Sequence, residues 1–364
     1  MTKPSIALSS TVLLLAGAAA AQVPVPAHAP LAEGHAYASM PFGRPGFRTQ
    51  IVVDGSAIAP NGALLTGLRL RGDRVSAPLA ATLVPNVTIT LSHTSVAPGA
   101  MSTAFASNIT SSGTVVFQGA VQLPAVPEGF AGPLGWDIVV PLSQFSYTTG
   151  QGNLLIDIVG NNPAGQSASY YLDAERPGGA STQFGDGPPL SNSDYPRMLV
   201  FANGGSNPTQ FVPGSVLDLI VTTTFSSPPG VMAIGTSAPA QPIDLSVVGA
   251  PGSWLYVDPI VIDTLTWQGT FIGWNGITSV NVPNQPSLVG TVLYAQGALA
   301  DAGANALGMI TTEAAEIRLG TIDPLPMQQL DASDPAAANG TLLTFGFGTP
   351  TYGAVPLLLE GSFF

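Results

Sequence analysis

The chain has 364 residues, a net charge of −12, 8% charged residues and no cysteine, and its one lysine is Lys3. Without thiols there are no disulfides, thiolate zinc sites or cysteine nucleophiles, and without lysine beyond residue 3 there is no Schiff-base chemistry. From residue 230 onward ten acids stand against Arg318 alone, so that half repels polyanions and nucleic acid is excluded as a partner.

Residues 1–21 read as a secretory signal peptide. Lys3 precedes the apolar run 6–21, and Ala19-Ala20-Ala21 is a small-residue cleavage site, which places the mature protein outside the cytoplasm, as extracellular, surface or periplasmic. No other stretch approaches the ~18 apolar residues that span a bilayer, so no membrane span is expected. Residues 22–34, with Pro24, Pro26 and Pro30, read as a flexible extended lead-in.

Short apolar bursts follow, punctuated by Gly, Pro, Asn and Asp. They predict strands at 48–55, 63–71, 86–93, 113–123, 136–142, 153–160, 167–172, 197–202 and 216–225, within a first domain over 35–226. In 86–93, Val87, Ile89 and Leu91 alternate with Thr88, Thr90 and Ser92, giving one apolar and one polar face. Ser226-Ser-Pro-Pro-Gly230 reads as a linker, with 227–230 as its centre. A second domain over 231–320 is predicted to hold strands at 231–235, 243–248, 254–259, 261–268, 277–282, 292–298 and 309–319. The tail, 321–364, contains apolar runs at 342–347 and 354–359 and reads as a terminal hairpin. Helix signals reduce to a turn or two at 100–109 and a turn at 288–290. The fold class is all-β: two consecutive antiparallel β-sandwiches, jelly-roll or immunoglobulin-like, with a C-terminal hairpin.

Two stretches resemble known modules. The segments 87–94, 102–108, 114–119 and 152–157 resemble an uncharacterised exported β-sandwich module of bacteria with large secretomes, some copies of which carry a Pro-Glu-Pro sorting tail. The stretch 230–320, with its Pro242-Ile-Asp-Leu245 and Gly249-Ala-Pro-Gly252 turns and its Leu293-Tyr-Ala-Gln296 strand, resembles a second module found C-terminal in such proteins. The resemblance implies export and a β-sandwich fold and carries no activity. Relatives of the second module often have a cysteine before the Leu-Tyr strand, where this chain has Ser253, and the sorting tail is missing.

Candidate chemistry is sparse. His28 and His35 fall in the lead-in, and His93 closes a strand near Ser92 and Ser95 without an acid or a nucleophile elbow beside it. Glycoside hydrolysis would need two facing carboxylates, and Asp157 with Asp173 or Asp258 with Asp263 are the pairs that strands could bring together. Asp301 and Asn305, in a glycine-containing loop, have the donor spacing of a partial calcium site but lack its closing glutamate. Three of the four tryptophans, Trp254, Trp267 and Trp274, lie in the acidic second domain. Alternation puts Trp254 and Tyr256 on one strand face, where they either stack on a sugar ring or enter the core.

The reading that follows is a non-catalytic exported surface or extracellular-matrix protein acting through adhesion or architecture, with no cofactor unless calcium. A carbohydrate-binding module using Trp254, Tyr256, Trp267 and Trp274 is the first alternative, and a secreted glycoside-type hydrolase the second. The partners would be an extracellular glycan or cell-surface proteins.

Overall fold

A computed structural model describes residues 21–30, 34, 36–73, 78–127, 134–161, 170–175, 177–203, 210–320, 325–345 and 351–364. The signal-peptide region, His35 and much of the expected strand 167–172 lie outside the described residues. The fold is all-β, built from several antiparallel sheets, and among the described residues the helical content is slight: Phe105–Asn108 makes one α-turn, and Gly55–Ala57, Thr149–Gln151, Leu245–Val248 and Pro286–Leu288 are 3-10 turns, the third of them lying in the expected strand 243–248. No helix of the described residues is long and apolar enough to cross a membrane.

The first sandwich packs a four-stranded sheet on a six-stranded one. The smaller runs Ala21–Val25, Leu357–Phe363, Gly62–Leu70, Ile138–Thr148 in spatial order, and the larger runs Thr341–Leu342, Met327–Ala332, Gly46–Val53, Asn153–Asn161, Thr82–Thr94, Thr114–Leu123. Alternation dictates which residues enter the core. Val87, Ile89 and Leu91 are buried while Thr88 and Thr90 stay partly exposed, and Leu357 and Leu359 are buried in the same sheet as Ile138 and Val140, with Leu68 and Leu70 on the strand between. Each such aliphatic side chain stabilises by about 1.5–3 kcal/mol, and with no cysteine present the apolar core has to supply the stability. Gly160 is required where the core is tightest, because a Cβ there would sit 2.1 Å from the Phe47 ring.

The outer face of the larger sheet is covered by a polar lid. The Arg48 guanidinium donates to Asp157 through Nε (3.2 Å) and Nη2 (2.7 Å), Gln50 Nε2 donates to the same carboxylate (3.0 Å), and Asn108 Nδ2 donates to Gln50 Oε1 (3.1 Å). This fixes the Phe105–Asn108 turn against the sheet, with Arg48 stacked 4.5 Å over the Phe105 ring.

The second sandwich packs a five-stranded sheet, Ala180–Phe184, Met309–Arg318, Val292–Ala300, Gly230–Gly235, Val261–Thr264, on a four-stranded one, Arg197–Ala202, Val216–Thr223, Gly273–Asn281, Thr266–Thr270. Its core is a separate cluster around Met198, Leu217, Leu219, Val221, Met232, Ala295 and Ile317.

Four sequence expectations are therefore corrected. Residues 197–223 belong to the second sandwich, because Val216–Thr223 pairs along its length with Gly273–Asn281. Ser226–Gly230 is accordingly a loop between the two sheets of one sandwich, not a linker. The sandwiches are nested instead of consecutive: the tail is no separate hairpin, since Met327–Ala332 pairs with Gly46–Val53 and Leu357–Phe363 fits between Ala21–Val25 and Gly62–Leu70. The lead-in is likewise ordered, with Ala21–Val25 in a sheet and Ala29 fully buried.

The chain enters and leaves the second sandwich through a neck. Ala180 pairs with Arg318, and Gly179 (φ +78°) and Gly320 approach so closely that a Cβ on Gly320 would lie 2.1 Å from the Gly179 nitrogen. Beside the neck lies a group of buried charges. Arg71 pairs with Asp173, whose other oxygen accepts from the Gly34 amide (2.7 Å), and Arg71 also donates to the Ala29 carbonyl (2.6 Å). Arg318, from the second sandwich, pairs with Glu175, and His28 Nε2 lies 3.7 Å from the same carboxylate. All four members of the two Arg–carboxylate pairs are at most 1% exposed. Burial alone would raise Glu175, but Arg318, with His28 and Arg71, outweighs it and holds the carboxyl below the usual range. Burial drives Asp173 the other way despite Arg71, with Glu175 adding to the upward push.

Candidate functional site

The acids that could serve catalysis are occupied by the fold. Asp157 is held by Arg48 and Gln50 on the outer face of one sheet, and Asp173 is held by Arg71 beside the neck, so the two belong to separate networks. Asp258 accepts from Ser237 Oγ (3.0 Å), and Asp263 accepts from the amide of Thr264 (2.7 Å). His93 is used structurally as well: Nε2 accepts from the Thr148 amide (3.0 Å), the ring stacks on Tyr147 at 5.3 Å, and burial lowers its pKa. His28, expected in a flexible segment, meets an acid, Glu175.

Asp301 and Asn305 fall within one turn, but their oxygens face the protein. The Asp301 carboxylate accepts from the Ser191 amide (2.6 Å) and hydroxyl (2.8 Å) and from the Gly303 amide (3.0 Å), and these bonds hold its pKa low. Asn305 Oδ1 accepts from Gly308 (2.9 Å) while its amide donates to the Met309 carbonyl (2.7 Å). The turn is an Asx-closed loop tied to residue 191, and among the described residues no group of three or more His, Asp or Glu is placed to hold a metal.

The four aromatic residues singled out do not form one platform. The strand that carries Trp254 ends at Leu255, so the alternation assumed through Tyr256 breaks. Tyr256 is buried and Trp254 partly so, packed with Val257, Tyr294 and Ala314, and Tyr256 meets Phe184 edge-on at 5.8 Å. Phe184, Tyr256 and Tyr294 floor a cleft of about 140 Å³ rimmed by Pro239 and Pro242, with Phe184 set edge-on to both tyrosines. Trp267 lies over Gly276 and packs on the second core, its Nε1 buried without a hydrogen-bond partner among the described residues. Trp274, over Gly269 on the neighbouring strand, keeps 38% of its surface exposed.

Trp274 belongs instead to a surface that the sequence reading missed. Thr266–Thr270 and Gly273–Asn281 form a hairpin whose two-residue turn is Phe271-Ile272. Phe271 is fully exposed and Ile272 82% exposed. Apolar residues are unusual at such a turn, where Gly, Asn and Asp supply the backbone freedom and solubility. Thr223 pairs with Trp274, which brings the loop after Thr223 alongside, and Phe225 in that loop is 69% exposed. The loop is fixed from behind by buried Asp194, whose Oδ2 accepts from the amides of Thr224 (2.6 Å) and Phe225 (3.1 Å), and by the Thr223 hydroxyl donating to the Ser226 carbonyl. Tyr195 is exposed in the same segment as Asp194.

Strand direction places this group. Arg318 and Val292 stand at the neck end of their paired strands and Met309 and Ala300 at the other, where Ala300 bonds to Pro229 in the loop that carries Phe225. The apolar residues thus crown the pole farthest from the first sandwich, roughly 30 Å from the neck for a ten-residue strand. Val247 and Val248 are also exposed, in a turn tied to Leu307 by the Leu307–Gly249 backbone bond. The signal available in sequence was the run Gly269-Thr-Phe-Ile-Gly273, two glycines bracketing an apolar pair.

Comparison of the chain with protein-family models, with curated proteins and with solved structures found no match in any of the three.

Proposed function

We propose that this is a non-catalytic exported surface or matrix protein that works by adhesion, with the distal pole of the second sandwich as its contact face. The observation that carries the reading is the apolar crown of Phe225, Phe271, Ile272 and Trp274, held on ordered loops at the end farthest from the neck. Solvent-exposed apolar residues scattered singly are ordinary, whereas several gathered on one pole mark an interaction surface. Support also comes from the carboxylates that hydrolysis would need, Asp157, Asp173, Asp258 and Asp263, each of which is spent on a hydrogen bond or ion pair within the fold. The leader-like composition of the first 21 residues supports a contact outside the cytoplasm.

The test is adsorption of the full mature chain to alkyl-coated and hydroxyl-coated sensor surfaces, comparing wild type with Phe271→Ser/Ile272→Ser. Strong adsorption to the alkyl surface that falls in the variant supports the reading. Equal behaviour of the two proteins, or turnover of a glycoside by the wild type, contradicts it.

A further inference from the structure

Building on the reading of the distal pole as the contact face, we infer that its occupant is a lipid surface with neutral headgroups, into which the Phe271-Ile272 turn inserts. The shape of the pole is the first reason. The turn is convex and only two residues wide, and nothing packs on Phe271, so its occupant must close around it. A fluid acyl layer does so without a preformed socket.

Charge is the second reason. No residue from Thr264 to Ala300 or from Leu219 to Ile243 carries a charge, so the hairpin and the Phe225 loop enter an apolar medium without desolvating an ion. Of the carboxylates near the crown, Asp194 is turned toward the amides behind Phe225 and Asp301 toward Ser191. The backbone of the turn is closed by the hairpin itself, with the Thr270 hydroxyl donating to the Gly273 carbonyl (3.0 Å). Trp274 lies one strand position behind the tip and half in the surface, where the amphipathic indole suits the headgroup level. Two residues reach only the interfacial zone, so the insertion is shallow and peripheral.

The body of the sandwich selects the headgroup. Residues 177–320 carry nine acids against two arginines, and those two are committed, Arg197 to Glu313 and Arg318 to Glu175. Nothing on the pole attracts an anionic headgroup, and the acidic body is repelled by one.

Flotation of the full mature chain with phosphatidylcholine vesicles is the experiment, repeated with vesicles in which an anionic lipid replaces part of the phosphatidylcholine. Binding to neutral vesicles is expected, with weaker binding to anionic vesicles that recovers as salt screens the repulsion. Phe271→Ser/Ile272→Ser should lower the partition coefficient by about tenfold or more, as two large side chains leave hydrocarbon. Because both are exposed, its thermal melt should match that of the wild type. A blue shift of tryptophan emission on vesicles, absent in Trp274→Phe, would place that ring at the interface. Vesicle binding unaffected by the double substitution overturns the proposal. So does an absence of vesicle binding with variant-sensitive adsorption to alkyl surfaces retained, an outcome that leaves the pole a contact face for a protein or another apolar partner. Loss of both overturns the lipid inference and the adhesive reading together.

Discussion

The two sandwiches solve the same packing problem with opposite results at their surfaces. The first draws its ten principal strands from both ends of the chain, buries polar networks such as Arg48–Asp157–Gln50–Asn108, and covers the outer face of its larger sheet with a helical turn and loops. The second takes nine strands from one continuous segment and leaves Phe225, Phe271 and Ile272 in water. The difference is one of closure: the outer face of the first unit's larger sheet has a helical turn and loops laid over it, whereas the distal pole of the second leaves Phe225, Phe271 and Ile272 uncovered. The unit with the exposed pole is tied to the first by a two-stranded neck and a buried ion pair.

The comparison breaks most completely if the interleaving is removed. Deleting residues 357–364 takes the strand between Ala21–Val25 and Gly62–Leu70 out of the smaller sheet, so the first sandwich should lose its cooperative melt while the second keeps one. Calorimetry showing two surviving transitions would mean that the first core does not depend on that strand. Next in size is Arg71→Ala, which leaves Asp173 buried without its partner and should destabilise the first sandwich by about 3–5 kcal/mol in chemical denaturation.

A smaller, pH-dependent effect belongs to Asp331. Burial pushes its carboxyl up to about 6 against the pull of hydrogen bonds from Thr49 and Gln329. Between the ordinary value of 3.8 and 6 the folded state therefore holds more protons than the unfolded one. The contribution to stability is full below 3.8 and is lost as pH rises through 6. Because water still reaches part of the side chain, the effect should be on the order of 1–2 kcal/mol rather than the ~3 kcal/mol of an unscreened shift. Asp331→Asn should remove this pH dependence and be neutral or slightly stabilising at pH 7, measured as melting temperature between pH 4 and 8. Least of all, Phe271→Ser should change stability by no more than about 0.5 kcal/mol, since the side chain contacts nothing in the fold.

The local pattern of strands was legible in the sequence, and their partners were not. The strand expected at 197–202 matches Arg197–Ala202, and that expected at 153–160 falls one residue short of Asn153–Asn161, because alternation reports which face is apolar. It does not report which strand lies alongside. Ser226-Ser-Pro-Pro-Gly230 is the composition of a linker and equally of a loop crossing between two sheets, and only pairing of Val216–Thr223 with Gly273–Asn281 distinguishes them. The apolar runs at the C-terminus were visible, yet the partners of residues 357–363 lie near residues 21–25 and 62–70, beyond any local signal. The site was half legible. The aromatic clustering near Trp254 was real, but a two-residue strand cannot sustain the alternation that would have faced both rings outward. The exposed group was hidden because Phe271-Ile272 reads as strand interior until the turn between Thr270 and Gly273 is seen.

The nesting also fixes an order of events as the chain emerges from a ribosome or a translocation channel. Everything the second sandwich needs has appeared by residue 320, and its pairings are all drawn from residues 180–318. The first sandwich has most of its strands exposed earlier but must wait for Glu360, which bonds to Thr66 across 294 residues of chain. The inner unit can therefore mature first, while the outer one holds an unfilled place in its sheet between Ala21–Val25 and Gly62–Leu70. Until that late strand arrives, the unpaired edges on either side are open to any other extended segment, so the interval between residues 320 and 360 is when the nascent chain is most exposed to mispairing.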